Sequence, residues 1–65
     1  MAGKPHFELF YDVAHKPRFR LRAPNGEIVC TSEAYESKRA LQKGVEAVKR
    51  YATNAETQNL LRPTT

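Results

Sequence analysis

Residues 18–38 constrain the fold of this chain more than any other stretch, because they read as strand, tight turn, strand and helix cap in succession. The first part of the stretch alternates with a period of two, which is typical of a half-buried β-strand. One face is apolar, with Phe19, Leu21 and Ala23, and the reverse face carries Arg18, Arg20 and Arg22. The pattern predicts a strand over residues 18–23.

A second alternating segment, residues 6–12, precedes this strand and predicts another one. The connector of residues 13–17 is too short for a crossover helix, so we expect the two strands to be antiparallel. The expected register pairs Tyr11 with Phe19. It joins opposite charges, and one aromatic ring with an arginine, in the pairs Asp12–Arg18, Glu8–Arg22 and Phe10–Arg20.

The Pro-Asn-Gly sequence of residues 24–26 predicts the next turn. A two-residue Asn-Gly loop would place Pro24 at a pairing position without an N–H group, whereas a three-residue loop ending in a glycine bulge avoids this. We favour the three-residue loop, which puts Val29 on the apolar face. The third strand, residues 27–32, does not alternate, so one of Ile28 and Val29 faces the helix and the other needs separate cover.

Residues 37–52 predict an amphipathic helix capped by Ser37. Its apolar stripe contains Leu41, Gly44, Val45, Val48, Tyr51 and Ala52. Gly44 costs the helix about 0.5–1 kcal/mol relative to alanine, so we expect a close backbone approach there, by a sheet aromatic or a second helix. Tyr35 is positioned to fasten the start of the helix to the sheet. The outer lysines and arginines are interpreted as a solvated face, with anion binding as the alternative.

The predicted fold class is therefore α+β, a three-stranded antiparallel meander followed by one amphipathic helix. We expect a single domain over residues 1–65, with an ordered core of about 6–52 and a tail of 53–65. The tail contains one apolar spot, Leu60 and Leu61, which we expect to dock on the body of the domain or on a partner. The sequence of the tail is compatible with either a short helical turn or an added strand.

A chain of 65 residues is too small to bury a large core, because domains of this size bury only about 60% of their unfolded surface. The single Cys30 excludes an internal disulfide, and His6 and His15 lack the spacing of a zinc site. Oligomerisation is the remaining way to gain stability, which predicts a homodimer. No apolar run approaches the roughly 20 residues of a membrane span, so we expect a cytoplasmic protein without membrane contact.

The formal charge of +4 and a pI of about 9.6 make an anionic partner worth considering. The alternate arginines Arg18, Arg20 and Arg22 would lie about 6.5 Å apart on a strand, near the spacing of phosphates in a single nucleic-acid strand. With Phe10 beside them they form a candidate single-strand platform. We favour the other interpretation, in which Glu8 and Asp12 neutralise an ordinary salt-bridged face.

Catalysis has no support in the residue pattern. The serines Ser32 and Ser37 and the two histidines do not form a nucleophile with a base and an orienting group, and no glycine loop could cradle a phosphate. Cys30 is interpreted as a small buried residue of the third strand, with a redox role or a bridge between subunits as the alternative. We therefore expect no enzyme activity, no cofactor and no metal.

Four segments resemble the YegP-like family of small proteins of unknown function. They are residues 7–12, 19–29, 31–38 and 44–49, and the resemblance covers roughly residues 6–52. It implies one copy of a β-β-β-α unit that is duplicated in the longer members, and hence a homodimer for a one-copy chain. The chain departs from the family at Pro24, where a small residue is usual, and in connector 13–17, which lacks the usual glycine. The resemblance implies no catalytic residue.

Three functions follow from these patterns. The first is a non-enzymatic homodimeric module that binds an unidentified partner. Its dimer contact uses the second sheet face, the helix around Gly44, or both, with candidate interface residues Phe10, Ile28, Gly44, Leu60 and Leu61. The second is weak binding of single-stranded nucleic acid by the strand arginines. The third, a ligand or enzymatic role in a cleft between subunits, has no direct support in the sequence.

Overall fold

The computed structural model describes residues 3–61 as a three-stranded antiparallel sheet followed by one helix. The elements are β1 (His6–Tyr11), β2 (Pro17–Arg22), β3 (Ile28–Thr31) and α1 (Lys38–Asn54). The strand order is β1-β2-β3, so β1 and β3 form the two edges of the sheet. The α+β meander-and-helix fold predicted from the sequence is confirmed. The helix runs to Asn54, into what was expected to be tail.

The register between β1 and β2 differs from the predicted one by two residues. Leu9 lies opposite Phe19, and Tyr11 lies opposite Pro17 rather than Phe19. A shift of two keeps every side chain on its predicted face, because side chains alternate with a period of two. The shift arises in the connector, where the N–H of Asp12 donates to the carbonyl of Lys16 at 3.0 Å and closes a tighter loop than expected.

Asp12 and His15 hold this connector together. One carboxylate oxygen of Asp12 accepts hydrogen bonds from the backbone N–H groups of Ala14 and Lys16, both at 2.9 Å. His15 adopts a left-handed conformation with φ of 61°, which glycine adopts most easily. A histidine therefore occupies a strained position in the connector, which lacks the glycine that the sequence resemblance implies for this segment.

The hairpin between β2 and β3 has the predicted three-residue loop. Gly26 donates its N–H to the carbonyl of Ala23 at 2.9 Å, Ala23 donates to the carbonyl of Glu27 at 2.8 Å, and Gly26 has a φ of 92°. A positive φ at this position is what a glycine bulge requires. The glycine is therefore needed for its backbone conformation.

A second irregularity in β3 makes the predicted orientation of Val29 wrong. Ile28 lies opposite Arg22 and Cys30 lies opposite Leu21, so Val29 is an extra residue in a β-bulge. Cys30 thus takes the place on the apolar face that was expected for Val29, whose side chain is 60% exposed. The bulge could not be read from three consecutive apolar residues.

Cys30 is exposed, so the interpretation that it fills the core is wrong. β3 is an edge strand, and all four of its residues are exposed. The helix packs chiefly on the central strand β2 and leaves this edge largely uncovered. Neither Ile28, at 50% exposure, nor Val29 is buried by the helix.

The buried core is small and lies between β2 and α1. Within the described residues it consists of Phe19, Leu41 and Val45. Partly buried Phe7, Tyr35 and Val48 pack around them, and the Phe7 ring meets that of Phe19 edge-on at 5.7 Å. The N–H of Ala40 donates to the Ser37 hydroxyl oxygen at 3.1 Å, which confirms Ser37 as the helix cap.

Tyr35 makes the close approach to Gly44 that the sequence predicts. Its N–H donates to the carbonyl of Pro17 at 2.9 Å, and its ring packs on Phe19 at 6.2 Å between centroids. A methyl group added at Gly44 would stand only 2.6 Å from Cζ of Tyr35. The glycine therefore makes room for an aromatic ring of the segment before the helix, which fastens α1 to the sheet.

The described part of the tail does not dock on the domain. Leu60 is 86% exposed and Leu61 is 92% exposed, and residues 55–61 belong to no helix or strand. The alternative that places these leucines on the body of the domain is wrong. The predicted tail residues 62–65 lie outside the described residues.

Candidate functional site

Three arginines and two carboxylates form the outer face of the sheet, which we call the arginine face (Arg18, Arg20, Arg22, Glu8 and Asp12). Arg18 Nε lies 2.5 Å from Asp12 Oδ2, while Arg20 Nε and Arg22 Nε lie 2.7 and 3.0 Å from Glu8 Oε1. The predicted pairs Asp12–Arg18 and Glu8–Arg22 are thus present despite the shifted register. Long side chains reach diagonal partners as well as direct ones.

The arginines are also engaged by neighbours other than carboxylates. Arg18 donates to the carbonyl of Ser32 at 3.3 Å, and Arg22 donates to the carbonyl of Gly26 at 2.6 Å. The guanidinium of Arg20 lies 4.6 Å from the centre of the Phe10 ring, as predicted. The face of the ring that Arg20 covers is therefore not available for stacking a base.

Hydrogen bonds keep both carboxylates ionised well into acid. They lower the pKa of Glu8 to about 2, with the bond from His6 contributing most, followed by those from Arg20 and Arg22. The pKa of Asp12 is lowered by the backbone N–H of Lys16 first and then by Arg18. The pKa of His6 is raised by its hydrogen bonds, first to the carbonyl of Lys4 and then to Glu8. Near neutral pH the arginine face is therefore paired.

The exposed cations of α1 form the second basic surface, which we call the helix basic face (Lys38, Arg39, Lys43, Lys49 and Arg50). Within residues 3–61, none of these cations forms an ion pair with a carboxylate. Glu46 is the one acidic residue of the helix, so five cations less one carboxylate leave a formal charge of +4. This equals the formal net charge of the whole chain.

The basic residues at the start of α1 work against helix stability. The first turn contains Lys38 and Arg39 and no acidic residue, although the positive end of the helix dipole favours acids there. Arg39 and Lys43 are four residues apart, where like charges repel. A merely solvated face, as interpreted from the sequence, does not explain why these cations occupy unfavourable positions.

An apolar groove lies between the edge strand β1 and the first half of α1. Its volume is about 190 Å³, and it is lined mainly by Leu9, Tyr11, Pro17 and Leu41. Leu9 and Tyr11 remain 49% and 56% exposed, because the helix lies over β2 and leaves this end of β1 open. The sequence did not predict this groove, because the apolar sheet face was expected to be covered by the helix. The sequence signal for the groove was that a single apolar helix stripe would have to cover the apolar faces of two strands.

The candidate interface residues occupy several places. Phe10 and Ile28 lie on the same side of the sheet as the arginines, on its opposite edge strands. Gly44 lies on the other side, against Tyr35. Leu60 and Leu61 stand exposed beyond the helix. The protomer does not bring these residues together into one patch.

The candidate nucleophiles have structural partners. Ser32 Oγ accepts the N–H of Phe19 at 2.9 Å and donates to the carbonyl of Glu33 at 2.8 Å, which ties the end of β3 to β2. Over the described residues no group of three His, Cys, Asp or Glu side chains is placed to hold a metal ion. No helix in that part of the chain has the length and apolar character needed to cross a membrane.

The three-stranded meander, its single helix and the paired arginine face define a small α+β domain. Residues 12–58 match the family model described as Domain of unknown function (DUF1508), and the chain belongs to that family. The resemblance to YegP-like proteins stated from the sequence is thereby confirmed.

The chain is similar to proteins from bacteria and archaea. It is 49% identical over 55 residues to a UPF0339 protein of Treponema denticola, covering 85% of this chain and 91% of that protein. YegP of Escherichia coli is 45% identical over 49 residues, which is 75% of this chain and 43% of YegP. The NMR solution structure of a protein from Haloferax volcanii matches with a TM-score of 0.77 and 43% identity, covering 88% of this chain and 97% of that one.

Proposed function

We propose that this chain is a non-enzymatic interaction module that acts as a homodimer. The observation that carries the proposal is the imbalance between a described core of three buried residues and the apolar side chains left outside it. These exposed side chains include Leu9, Tyr11, Ile28, Leu60 and Leu61. A domain this small gains little stability from its own core, and association buries more apolar surface.

The length of a relative supports the same proposal. The matched segment fills less than half of YegP, which leaves room for a second unit in that longer relative. A second copy of this chain would supply the same mass by association.

A two-fold symmetric interface places the same pair of surfaces in contact twice. The apolar groove of each copy and its exposed leucine pair are complementary in character, and Lys38 at the groove edge suits Glu56 of the tail in charge. We expect Leu60 and Leu61 of one copy to cover the groove of the other. Ile28 on the edge strand β3 extends the apolar surface available to a partner.

Binding rather than catalysis is favoured by the character of the described surfaces. The groove is lined mainly by apolar side chains, and Ser32 is occupied by two backbone partners. Single-strand binding by Arg18, Arg20 and Arg22 has less support than the dimer, because each guanidinium is paired with Glu8 or Asp12.

Sedimentation velocity over a concentration series tests the dimer. We expect the parent chain to sediment as a dimer at micromolar concentration, and the variant Leu60→Ser/Leu61→Ser to dissociate at least about tenfold more readily, since two exposed leucines lose their burial. Val13→Ser is the matched control, because Val13 is a fully exposed apolar residue of the connector. A folded parent monomer at 100 μM, checked by circular dichroism, would overturn the proposal.

A further inference from the structure

The segment before β1, residues 3–5, belongs to no strand but lies against the loop between β2 and β3. Two hydrogen bonds fasten it. The N–H of Gly3 donates to the carbonyl of Pro24 at 2.8 Å, and Nδ1 of His6 lies 2.9 Å from the carbonyl oxygen of Lys4. Because His6 is the first residue of β1, its side chain connects this segment to the sheet.

The other ring nitrogen of His6 contacts the arginine face. Nε2 lies 3.0 Å from Glu8 Oε2, and Oε1 of the same carboxylate accepts hydrogen bonds from Arg20 and Arg22. The pKa of Glu8 is about 2, so this carboxylate is ionised and can only accept. The carbonyl oxygen of Lys4 can only accept as well. Both ring nitrogens therefore carry a hydrogen, which makes His6 an imidazolium in this arrangement.

We infer that His6 is a pH-dependent clamp, which holds residues 3–5 against the sheet as an imidazolium and releases them when it loses its proton. A neutral imidazole carries a hydrogen on only one nitrogen, so the lone pair of the other would face either the Lys4 carbonyl or the Glu8 carboxylate. One of the two contacts then breaks. The proton passes to solvent, since the His6 side chain is 51% exposed.

The charged groups around the ring set the direction of this switch. The carbonyl of Lys4 first, and then Glu8, raise the pKa of His6 above its ordinary value of 6.5. Arg22 lies opposite His6 in the register and works against the proton. Within residues 3–61, Glu27 of the neighbouring loop forms no hydrogen bond with the ring. The clamp is therefore closed below the pKa of His6 and opens as the pH rises through it.

The clamp acts at one end of the sheet, on the side that carries the arginine face. The helix packs on the other side, against Phe7 and Phe19, so its cations do not face the ring. When the clamp opens, the carbonyl of Pro24 loses the N–H of Gly3, and the arginine face loses one neighbouring positive charge. The apolar groove lies beside the other end of β1, so the inference does not rest on the proposed dimer.

NMR spectroscopy of the full-length chain tests the clamp. The Hε1 chemical shift of His6 reports the titration of the ring. Relaxation of ¹³C at Cα of Lys4 reports the order of the segment without relying on amide protons, which exchange rapidly in base. We expect the order parameter at Lys4 to fall from about 0.8 at pH 5 to below about 0.6 at pH 8.5. The fall should share its midpoint with the ring titration, above pH 6.5. An order parameter independent of pH would overturn the inference.

Two variants and one control assign the change to this contact, with circular dichroism as the check of folding. His6→Phe keeps an aromatic ring without charge or hydrogen bonds, so Lys4 should show the low order parameter at both pH values. Glu8→Gln removes the carboxylate charge and should move both midpoints to lower pH.

The control, His15→Asn, removes the other histidine, and asparagine tolerates the left-handed conformation found there. Its pH dependence should equal that of the parent. A pH dependence that survives in His6→Phe, unchanged midpoints in Glu8→Gln, or loss of the pH dependence in His15→Asn would each contradict the clamp.

Discussion

The two basic surfaces of this domain have similar compositions and opposite electrostatic surroundings. On the arginine face, Glu8 and Asp12 accept hydrogen bonds from all three guanidinium groups, so most of the charge is matched. On the helix basic face, five cations share one acidic neighbour, Glu46. The difference teaches that a run of basic residues predicts an anion site only after their partners across the sheet or along the helix have been counted.

The largest expected effect concerns the pairing of the arginine face in acid. The folded-state pKa of Glu8 is about 2 and that of Asp12 is below its ordinary value, so the stability from these carboxylates is present above their ordinary pKa and lost as pH falls. We expect the melting temperature to fall by about 15 °C from pH 5 to pH 2. Differential scanning calorimetry measures this.

The control for acid unfolding is Glu8→Gln/Asp12→Asn. This variant should melt lower than the parent at pH 7, and its melting temperature should fall less between pH 5 and pH 2, because the two titrating groups are gone. If the melting temperature of the variant fell as much as that of the parent between pH 5 and pH 2, the arginine face would contribute no pH-dependent stability.

A matched pair of acid-to-alanine changes compares the two surfaces directly. Asp12→Ala removes the acceptor for Ala14, Lys16 and Arg18, and should lower the melting temperature by about 10 °C. Glu46→Ala removes an acid without a described ion pair and should change it by about 2 °C or less. Equal falls in melting temperature for the two variants would contradict the difference between the paired arginine face and the unpaired helix basic face.

The inner side of α1 decides how the helix basic face is presented. Gly44→Ala should destabilise the domain by about 1 kcal/mol, because the cost of overpacking the Tyr35 ring exceeds the gain in helix propensity. In a Tyr35→Ala background the obstacle is gone, so the same change should stabilise by about 0.5 kcal/mol. Urea unfolding of the four chains measures both values, and a change of the same sign in both backgrounds would contradict this packing.

The smallest expected effect concerns the charge of the first turn of α1. Arg39→Glu places an acid in the first turn of α1 and four residues before Lys43, which should stabilise the helix by about 0.5 kcal/mol at low salt. Urea unfolding at 20 mM and 500 mM NaCl measures this gain, which should shrink as salt screens the charges. A destabilised variant would show that Arg39 has a structural role.

The fold was predictable from the sequence because its elements rest on local patterns. Alternation predicted the first two strands, Pro24 and Gly26 predicted the loop, and Ser37 predicted the helix start. The bulge at Val29 was not predictable, since three consecutive apolar residues fit several registers. The two-residue register shift was not predictable, because it depends on how Asp12 closes the connector with Lys16. A shift of two also leaves every side chain on the same face of the sheet, so the alternation pattern does not reveal it.

The candidate surfaces were predictable only in part. The pairs on the arginine face followed from charge alternation and survived the shifted register, because arginine and glutamate side chains reach diagonal neighbours. The exposure of Cys30 and of the groove beside β1 depends on which strand the helix covers, and that is a tertiary choice. Amphipathic periodicity shows which side of a helix is buried but does not show where it lies on the sheet.

The central claim is that, within the described residues, the cations without a carboxylate partner lie on α1 and not on β2. Titrating the ¹⁵N-labelled chain with a 20-base-pair DNA duplex, used as a general polyanion, and recording amide chemical shifts tests both surfaces in one sample. We expect the largest changes within residues 38–50 and changes near zero at Arg18, Arg20 and Arg22. Changes concentrated on β2, with α1 unaffected, would contradict it.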